Sequence, residues 1–248
     1  MNDFVVVIPS RYASTRLPGK PLRKINGKTM LEHVHERAGE SAAREVIIAT
    51  DDDRIAEAAE SFDGRVCMTG NQHRSGTERI AEVCDLMDWD DDRIVVNLQG
   101  DEPAMPAALI DQCAALLQHS SADIATLASP IASQDDFENP NVVKVVVADD
   151  GSALYFSRAA IPYARAGNQQ PEARSAALHH HGIYAYRCGV LRQLVSAEPS
   201  DLEVCEQLEQ LRALSLGMKI RVAIPTERPG AGVDTKEDLA AVAAQLAH

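Results

Sequence analysis

The apolar positions of this chain fall into short blocks and longer patterned stretches. The blocks Phe4–Ile8, Glu45–Thr50 and Arg93–Leu98 are rich in Val and Ile and run to polar or glycine- and proline-containing segments. Blocks of that length and composition mark strands buried on both faces. A shorter strand is read near Arg65–Met68. Between them lie helix-like stretches at about 29–40, 52–61 and 76–87. The second half is more mixed: strands are read at 124–129, 143–147, 182–187 and 219–224, and helices at about 106–118, 189–196, 201–215 and 235–247. The segment 164–178 shows no period and reads as a mobile loop. This alternation predicts an α/β fold, with a mostly parallel mixed sheet, helices on both faces and right-handed crossovers. No repeat or linker divides the chain, so residues 1–248 read as a single domain.

Open parallel sheets bind ligands beyond the carboxyl ends of their strands. The segment after the first strand, Pro9–Leu22, carries Arg11, Arg16 and Lys20 with Ser14, Thr15 and Gly19. A triphosphate needs several cations and free N–H donors to replace its water and counterions. Arginine grips two phosphate oxygens, whereas lysine acts as a point charge. Pro18-Gly19 would fold the loop back so that Arg11 and Lys20 meet. A solvated basic surface loop accounts for the composition equally well, and the P-loop pattern is absent.

After the third strand comes Gln99-Gly100-Asp101-Glu102-Pro103. Hard Mg²⁺ takes one or two carboxylates together with phosphate oxygens and water. The plainer reading is a helix start, where acidic residues are favoured. Asp234 follows Gly230 and Gly232 just before the last helix, where an N-cap role for Asp234 or Thr235 is the ordinary explanation. Asp51-Asp52-Asp53 reads as a helix cap and Asp90-Asp91-Asp92 as a solvated turn.

Composition narrows the class. A formal charge of −13 excludes a protein that coats nucleic acid, though not one that binds a single nucleotide. With 45% hydrophobic residues a substantial core can form. No apolar run is long enough to span a membrane, and the first residues lack a signal-peptide pattern, so no membrane partner is expected. The five cysteines are scattered without a C-x-x-C pair, which reads as reduced thiols in a cytoplasmic protein.

Residues 11–22, Arg-x-x-Ser-Thr-Arg-Leu-Pro-Gly-Lys-Pro-Leu, resemble the N-terminal signature of the CMP-Kdo synthetases. These are sugar-activating nucleotidyltransferases related to the CMP-sialic acid synthetases; Kdo is 3-deoxy-D-manno-octulosonate. The segments 75–79 (Ser-Gly-Thr-Glu-Arg), 99–103, 155–158 (Tyr-Phe-Ser-Arg), 180–184 (His-x-Gly-Ile-Tyr), 209–212 (Glu-Gln-Leu-Arg) and 232–239 are similar to motifs of the same family. The resemblance runs from Phe4 to Leu239; His179, His181 and the 166–177 loop depart from it.

The resemblance implies a nucleotide-diphospho-sugar transferase-like fold. It also implies that Arg11, Ser14, Arg16 and Lys20 hold CTP, with Ser75, Gly76 and Arg79 at the cytidine. Asp101 and Asp234 would bind Mg²⁺, and Gln99, Arg158, Arg165, His180, Tyr184, Glu209 and Gln210 would meet the sugar. Arg11, Lys20 and Asp101 would be catalytic. The family further suggests a homodimer, with residues of about 150–215 serving sugar binding and dimerisation, in lipopolysaccharide biosynthesis. The plainer readings are a helix start at Ser75–Thr77 and an amphipathic helix at 201–215 with a solvated acidic face. Three adjacent histidines on a strand alternate faces and cannot all meet one metal.

The implied reaction is in-line attack of the anomeric hydroxyl of Kdo on the α-phosphorus of CTP, giving CMP-Kdo and pyrophosphate. Rival acceptors are an 8-amino Kdo analogue and a sialic acid. A glycosyltransferase would want a D-x-D site, and a nucleotide sensor would need neither Asp101 nor Asp234.

Overall fold

Along β1 (Phe4–Pro9), Val5 and Val7 enter one apolar core while Phe4, Val6 and Ile8 enter another, so both faces of the sheet are covered. A computed structural model describes residues 3–13, 17–166 and 170–246. After β1 come a 3₁₀ turn (Lys20–Leu22), the small hairpin β2 (Lys24–Ile25) and β3 (Lys28–Thr29), α1 (Met30–Gly39), β4 (Glu45–Thr50), α2 (Asp53–Glu60), β5 (Arg65–Met68), α3 (Gly76–Leu86) and β6 (Ile94–Asn97). The remainder is α4 (Ala107–Gln118), β7 (Ile124–Pro130), α5 (Gln134–Glu138), β8 (Lys144–Val147), β9 (Ala153–Ser157), α6 (Gln170–Ser175), β10 (Ala177–Arg187), α7 (Cys188–Ser196), α8 (Asp201–Glu206), α9 (Gln210–Ser215), β11 (Ile220–Ala223) and α10 (Lys236–Gln245).

The main sheet runs β11-β7-β10-β6-β1-β4-β5. All of these strands point one way except β10, which lies antiparallel between β6 and β7. β8 and β9 form an antiparallel flap carried on the start of β10. Helices α3 and α7 cover one face; α1, α2 and α4 cover the other. This is the mostly parallel α/β sheet that the apolar pattern predicts.

The structure differs from the sequence reading in a few places. The expected helix 201–215 is broken at Gln207, which takes a left-handed φ of 54°. The break lets Arg212, at 4% exposure, fold back onto Glu203, with Arg212 Nε donating to Oε2 at 2.7 Å. β9 forms where no strand was read, because β8 supplies its partner. β10 begins at Ala177, earlier than expected, and α6 occupies part of the expected 164–178 loop. A third, smaller cluster, containing Leu17, Ile25, Met30, Ala104, Val233 and Val242, packs α10 against the segments that follow β1 and β6.

Candidate active site

Lys20 sits in the 3₁₀ turn that follows the basic segment, entered through Gly19 in the left-handed region at φ 65°. Its ammonium lies 2.6 Å from Asp101 Oδ2 and 3.0 Å from Asp234 Oδ1. Three segments remote in sequence therefore meet on one charge. Backbone contacts hold them: Val233 N donates to Asp101 O at 2.9 Å. Gly230 packs so closely that a Cβ there would stand 2.2 Å from Ala104 O. The apolar cluster of Leu17, Ala104 and Val233 ties the same three segments from beneath.

The helix starts that the plainer readings expect are present, but they do not account for where the Asp101 and Asp234 carboxylates point. Helix α4 starts at Ala107, and its cap position, Pro106, makes no side-chain cap bond, so Asp101 and Glu102 lie ahead of its first turn. Thr235 caps α10 by accepting from Asp238 N, and Asp238 in turn accepts from Thr235 N. The Asp234 carboxylate instead faces Lys20. Asp52 does cap α2, as read, but Asp51 has a further role, pairing with Arg79 at 3.0 Å.

Lys20, Asp101 and Asp234 border a cleft of about 570 Å³ that also takes in Arg11, Ser75, Gly76, Arg79 and Gln99. Ser14 and Arg16 lie outside the described residues. The walls approach closely: a Cβ on Gly100 would meet Ser10 Oγ at 2.9 Å, and one on Gly76 would meet Pro9 at 3.1 Å. Arg79 is only 4% exposed and is held by Asp51, the Thr69 hydroxyl and the Gly70 carbonyl. Ser10 and His73 line the cleft and were not singled out in the sequence. Ser10 lies within the Pro9–Leu22 segment, directly before Arg11, and His73 stands two residues before Ser75.

Burial, reinforced by the neighbouring Asp101 and Asp234, pushes the Glu102 carboxyl up to about 8 despite the pull of Lys20. Among the described residues, buried polar atoms without a hydrogen-bond partner are Ser10 Oγ, Asn97 Oδ1 and Tyr184 OH. Ser10 lines the cleft, and Asn97 and Tyr184 lie opposite each other in the β6–β10 ladder.

Of the residues expected at the sugar, Gln99 lines this cleft and the others are not among its lining residues. Glu209, in the turn between α8 and α9, accepts from the Ser75 hydroxyl at 2.7 Å and from the Thr77 hydroxyl, which joins it to the cleft wall. Gln210 starts α9 and is 9% exposed. Tyr184 stacks with Tyr186 and packs against His180, whose ring also meets Phe156 edge-on. Burial first, then the neighbouring His181 and His179, push His180 down to about 3, so its ring is neutral at pH 7.

The rings of His179 and His181 lie 5.0 Å apart on the other face, and all three histidines border a separate recess with Arg228. This is the alternation that a strand dictates. Arg158 spends its guanidinium on backbone carbonyls: Nε on Glu206 at 2.7 Å, Nη1 on Pro140 at 3.1 Å and Nη2 on Gln207 at 3.4 Å. The Glu206 carboxylate answers by accepting from Arg158 N at 2.8 Å. Arg165 is exposed in its loop and is not among the cleft residues. Lys144, fully buried, donates to the carbonyls of Asn139, Val142 and Arg158 at 2.6–2.8 Å and fixes the same corner.

Comparison with known proteins is consistent with this geometry. Residues 5–220 match the model of the cytidylyltransferase family. The structure superposes on that of CMP:2-keto-3-deoxy-manno-octonic acid synthetase complexed with CTP with a TM-score of 0.90. That pair shares 42% sequence identity, over 99% of this chain and 98% of the other. Two more distant structures share the fold at a TM-score of 0.64. One is a cytidylyltransferase from Leptospira borgpetersenii serovar Hardjo-bovis (strain JB197), at 19% identity over 100% of this chain and 87% of that one. The other is 4-diphosphocytidyl-2C-methyl-D-erythritol synthase from Anaerococcus prevotii DSM 20548, at 15% identity over the full length of both chains. With most of its length matched by the family model and a solved relative at 42% identity, this chain belongs to the cytidylyltransferase family.

Proposed function

We propose that the protein transfers CMP from CTP to Kdo, releasing pyrophosphate, with Mg²⁺ as its cofactor. The observation that carries the reading is the meeting of Asp101 and Asp234 on the ammonium of Lys20 at the head of the cleft. The 42% identity to a synthetase solved with CTP supports the choice of substrates.

The residues present suit a hard divalent cation. Two carboxylates converge on one positive charge, the position that a cation would share. Asp101 and Asp234 would hold the ion. When bound, it would offset charge on the α-phosphate and the departing pyrophosphate.

The remaining work is positioning and electrostatics, as phosphoryl chemistry requires. Arg11 and Lys20 replace the hydration of the phosphates. Ser14 and Arg16 belong to the same proposal. Arg79, fixed by Asp51, and Ser75 and Gly76 border the space for the base. Gln99 at the cleft and Glu209 behind Ser75 face the acceptor, with Gln210, Tyr184, His180 and Arg158 around them; Arg165 joins only through its loop. The new bond forms between the anomeric oxygen of Kdo and the α-phosphorus. The bond from the α-phosphorus to the bridging oxygen breaks, and pyrophosphate leaves with that oxygen. The same reading includes a homodimer, with about residues 150–215 serving sugar and partner, and a cytoplasmic role in lipopolysaccharide biosynthesis. Among the described residues no helix is long and apolar enough to cross a membrane.

The test is pyrophosphate release from CTP and Mg²⁺ with Kdo, 8-amino Kdo or sialic acid as acceptor. Release with Kdo well above that with the other two is expected. No release with any acidic sugar contradicts the reading, and preference for 8-amino Kdo or sialic acid reassigns the acceptor.

A further inference from the structure

The carboxylate of Glu209 is held from two sides by hydroxyls of a different element. Ser75 and Thr77 stand at the N-terminus of α3, and each donates to one oxygen of Glu209. The two donors differ in their surroundings. Ser75 lines the nucleotide cleft, where a bound nucleotide can compete for it. Thr77 is 3% exposed and does not line that cleft, so no ligand reaches its hydroxyl.

A carboxylate only accepts, so the Thr77 hydroxyl proton goes to Glu209, and this one bond ties α3 to the α8–α9 turn. An ionised carboxylate has about four acceptor sites. Ser75 and Thr77 take two and leave the others for groups arriving from the cleft.

We infer that Thr77 is a positioning residue for acceptor recognition, holding the Glu209 carboxylate at the angle at which it accepts hydroxyls of the sugar. This rests on the reading above that Glu209 faces the acceptor. Thr77 itself touches neither substrate. Its loss therefore acts on the acceptor and leaves the nucleotide alone, which a purely structural role would not do.

The test is steady-state kinetics with each substrate varied in turn, on Thr77→Val, Thr77→Ala, Thr77→Ser and Glu209→Gln. Thr77→Val is expected to raise the KM for Kdo about ten-fold, the scale of a hydrogen bond to a charged group, with the KM for CTP within two-fold of the parent. Thr77→Ser, which keeps the hydroxyl, is expected to restore the Kdo value. If Thr77→Val does not fold, Thr77→Ala carries the test, with the same rise confined to Kdo. A Kdo KM that does not rise in the folded variants, or a CTP KM that rises alongside it, overturns the inference. Glu209→Gln separates the two layers. If it raises the Kdo KM while Thr77→Val does not, the inference alone fails; if Glu209→Gln leaves Kdo unaffected, the underlying reading of Glu209 fails and takes the inference with it.

Discussion

The two ends of this site are built on opposite principles. At the phosphate end, side chains 81 and 214 residues apart in sequence meet on one ammonium, and the carboxylates remain partly exposed, Asp101 at 38% and Asp234 at 46%. At the acceptor end most of the charged groups are bonded within the protein, while Tyr184 OH lacks a partner among the described residues. Arg158 is spent on carbonyls, Glu206 on Arg158 N and the Ser157 hydroxyl, and Lys144 on three more carbonyls. The first end is a cluster of partly exposed charges drawn from remote segments, and the second is a frame held by side chains bonded to backbone carbonyls. Removing a charge should therefore cost chemistry at the first end, whereas removing a bond should cost stability and fit at the second.

The largest effect expected is on Asp101→Asn. It should lower kcat on the order of 1,000-fold, the scale at which groups that stabilise developing charge act. Circular dichroism and melting should stay close to the parent. A variant that unfolds without a selective loss of kcat would erase the contrast between the ends.

Next is Gly230→Ala, which drives a methyl into the Ala104 carbonyl. Overpacking of this kind costs about 2 kcal/mol. It should appear as a lower urea midpoint together with lost activity, because the Asp234 segment moves away from Asp101. Arg158→Met should cost about 1 kcal/mol in urea unfolding, from carbonyls left without donors. It should raise the KM for the acceptor more than that for CTP.

The smallest effect is on pH. His180 and His181 are held down at about 3 and 4 in the fold, chiefly by burial, so the unfolded chain binds more protons than the native state below about pH 6.5. Stability should be fully present above that range and fall as the pH drops toward 4. His180→Gln should flatten the urea midpoint measured between pH 7 and pH 5. An unchanged slope would mean that the ring is not held neutral.

The sequence made the frame of the phosphate end legible because its signals are local. Phe4–Ile8 and the run through Ile94–Asn97 are apolar on both faces, and the residues directly after them are the ones that reach the cleft. The convergence of Lys20 with Asp234 was not legible from spacing alone. It depends on the packing of Leu17, Ala104 and Val233 and on the close approach of Gly230.

At the acceptor end, the amphipathic pattern of 201–215 read as one helix. The break at Gln207 is set by the Arg212–Glu203 pair, nine residues apart, and by the contacts of Glu206 with Ser157 and Arg158, 49 and 48 residues away. Thr77 looked like an ordinary first-turn residue of α3. Only its contact with Glu209, 132 residues away, separates it from one. Asp51 was hidden in the same way, because an acidic run at a helix start has a sufficient local explanation until Arg79 is found against it.

The most direct test of the shared-cation claim is Mn²⁺ binding followed by electron paramagnetic resonance in the presence of CTP, on the parent, Asp101→Asn and Asp234→Asn. The account expects protein-dependent Mn²⁺ binding in the parent that each substitution weakens at least ten-fold while the fold persists. Parent-like binding in both variants would mean that these two carboxylates do not share a cation, and would contradict it.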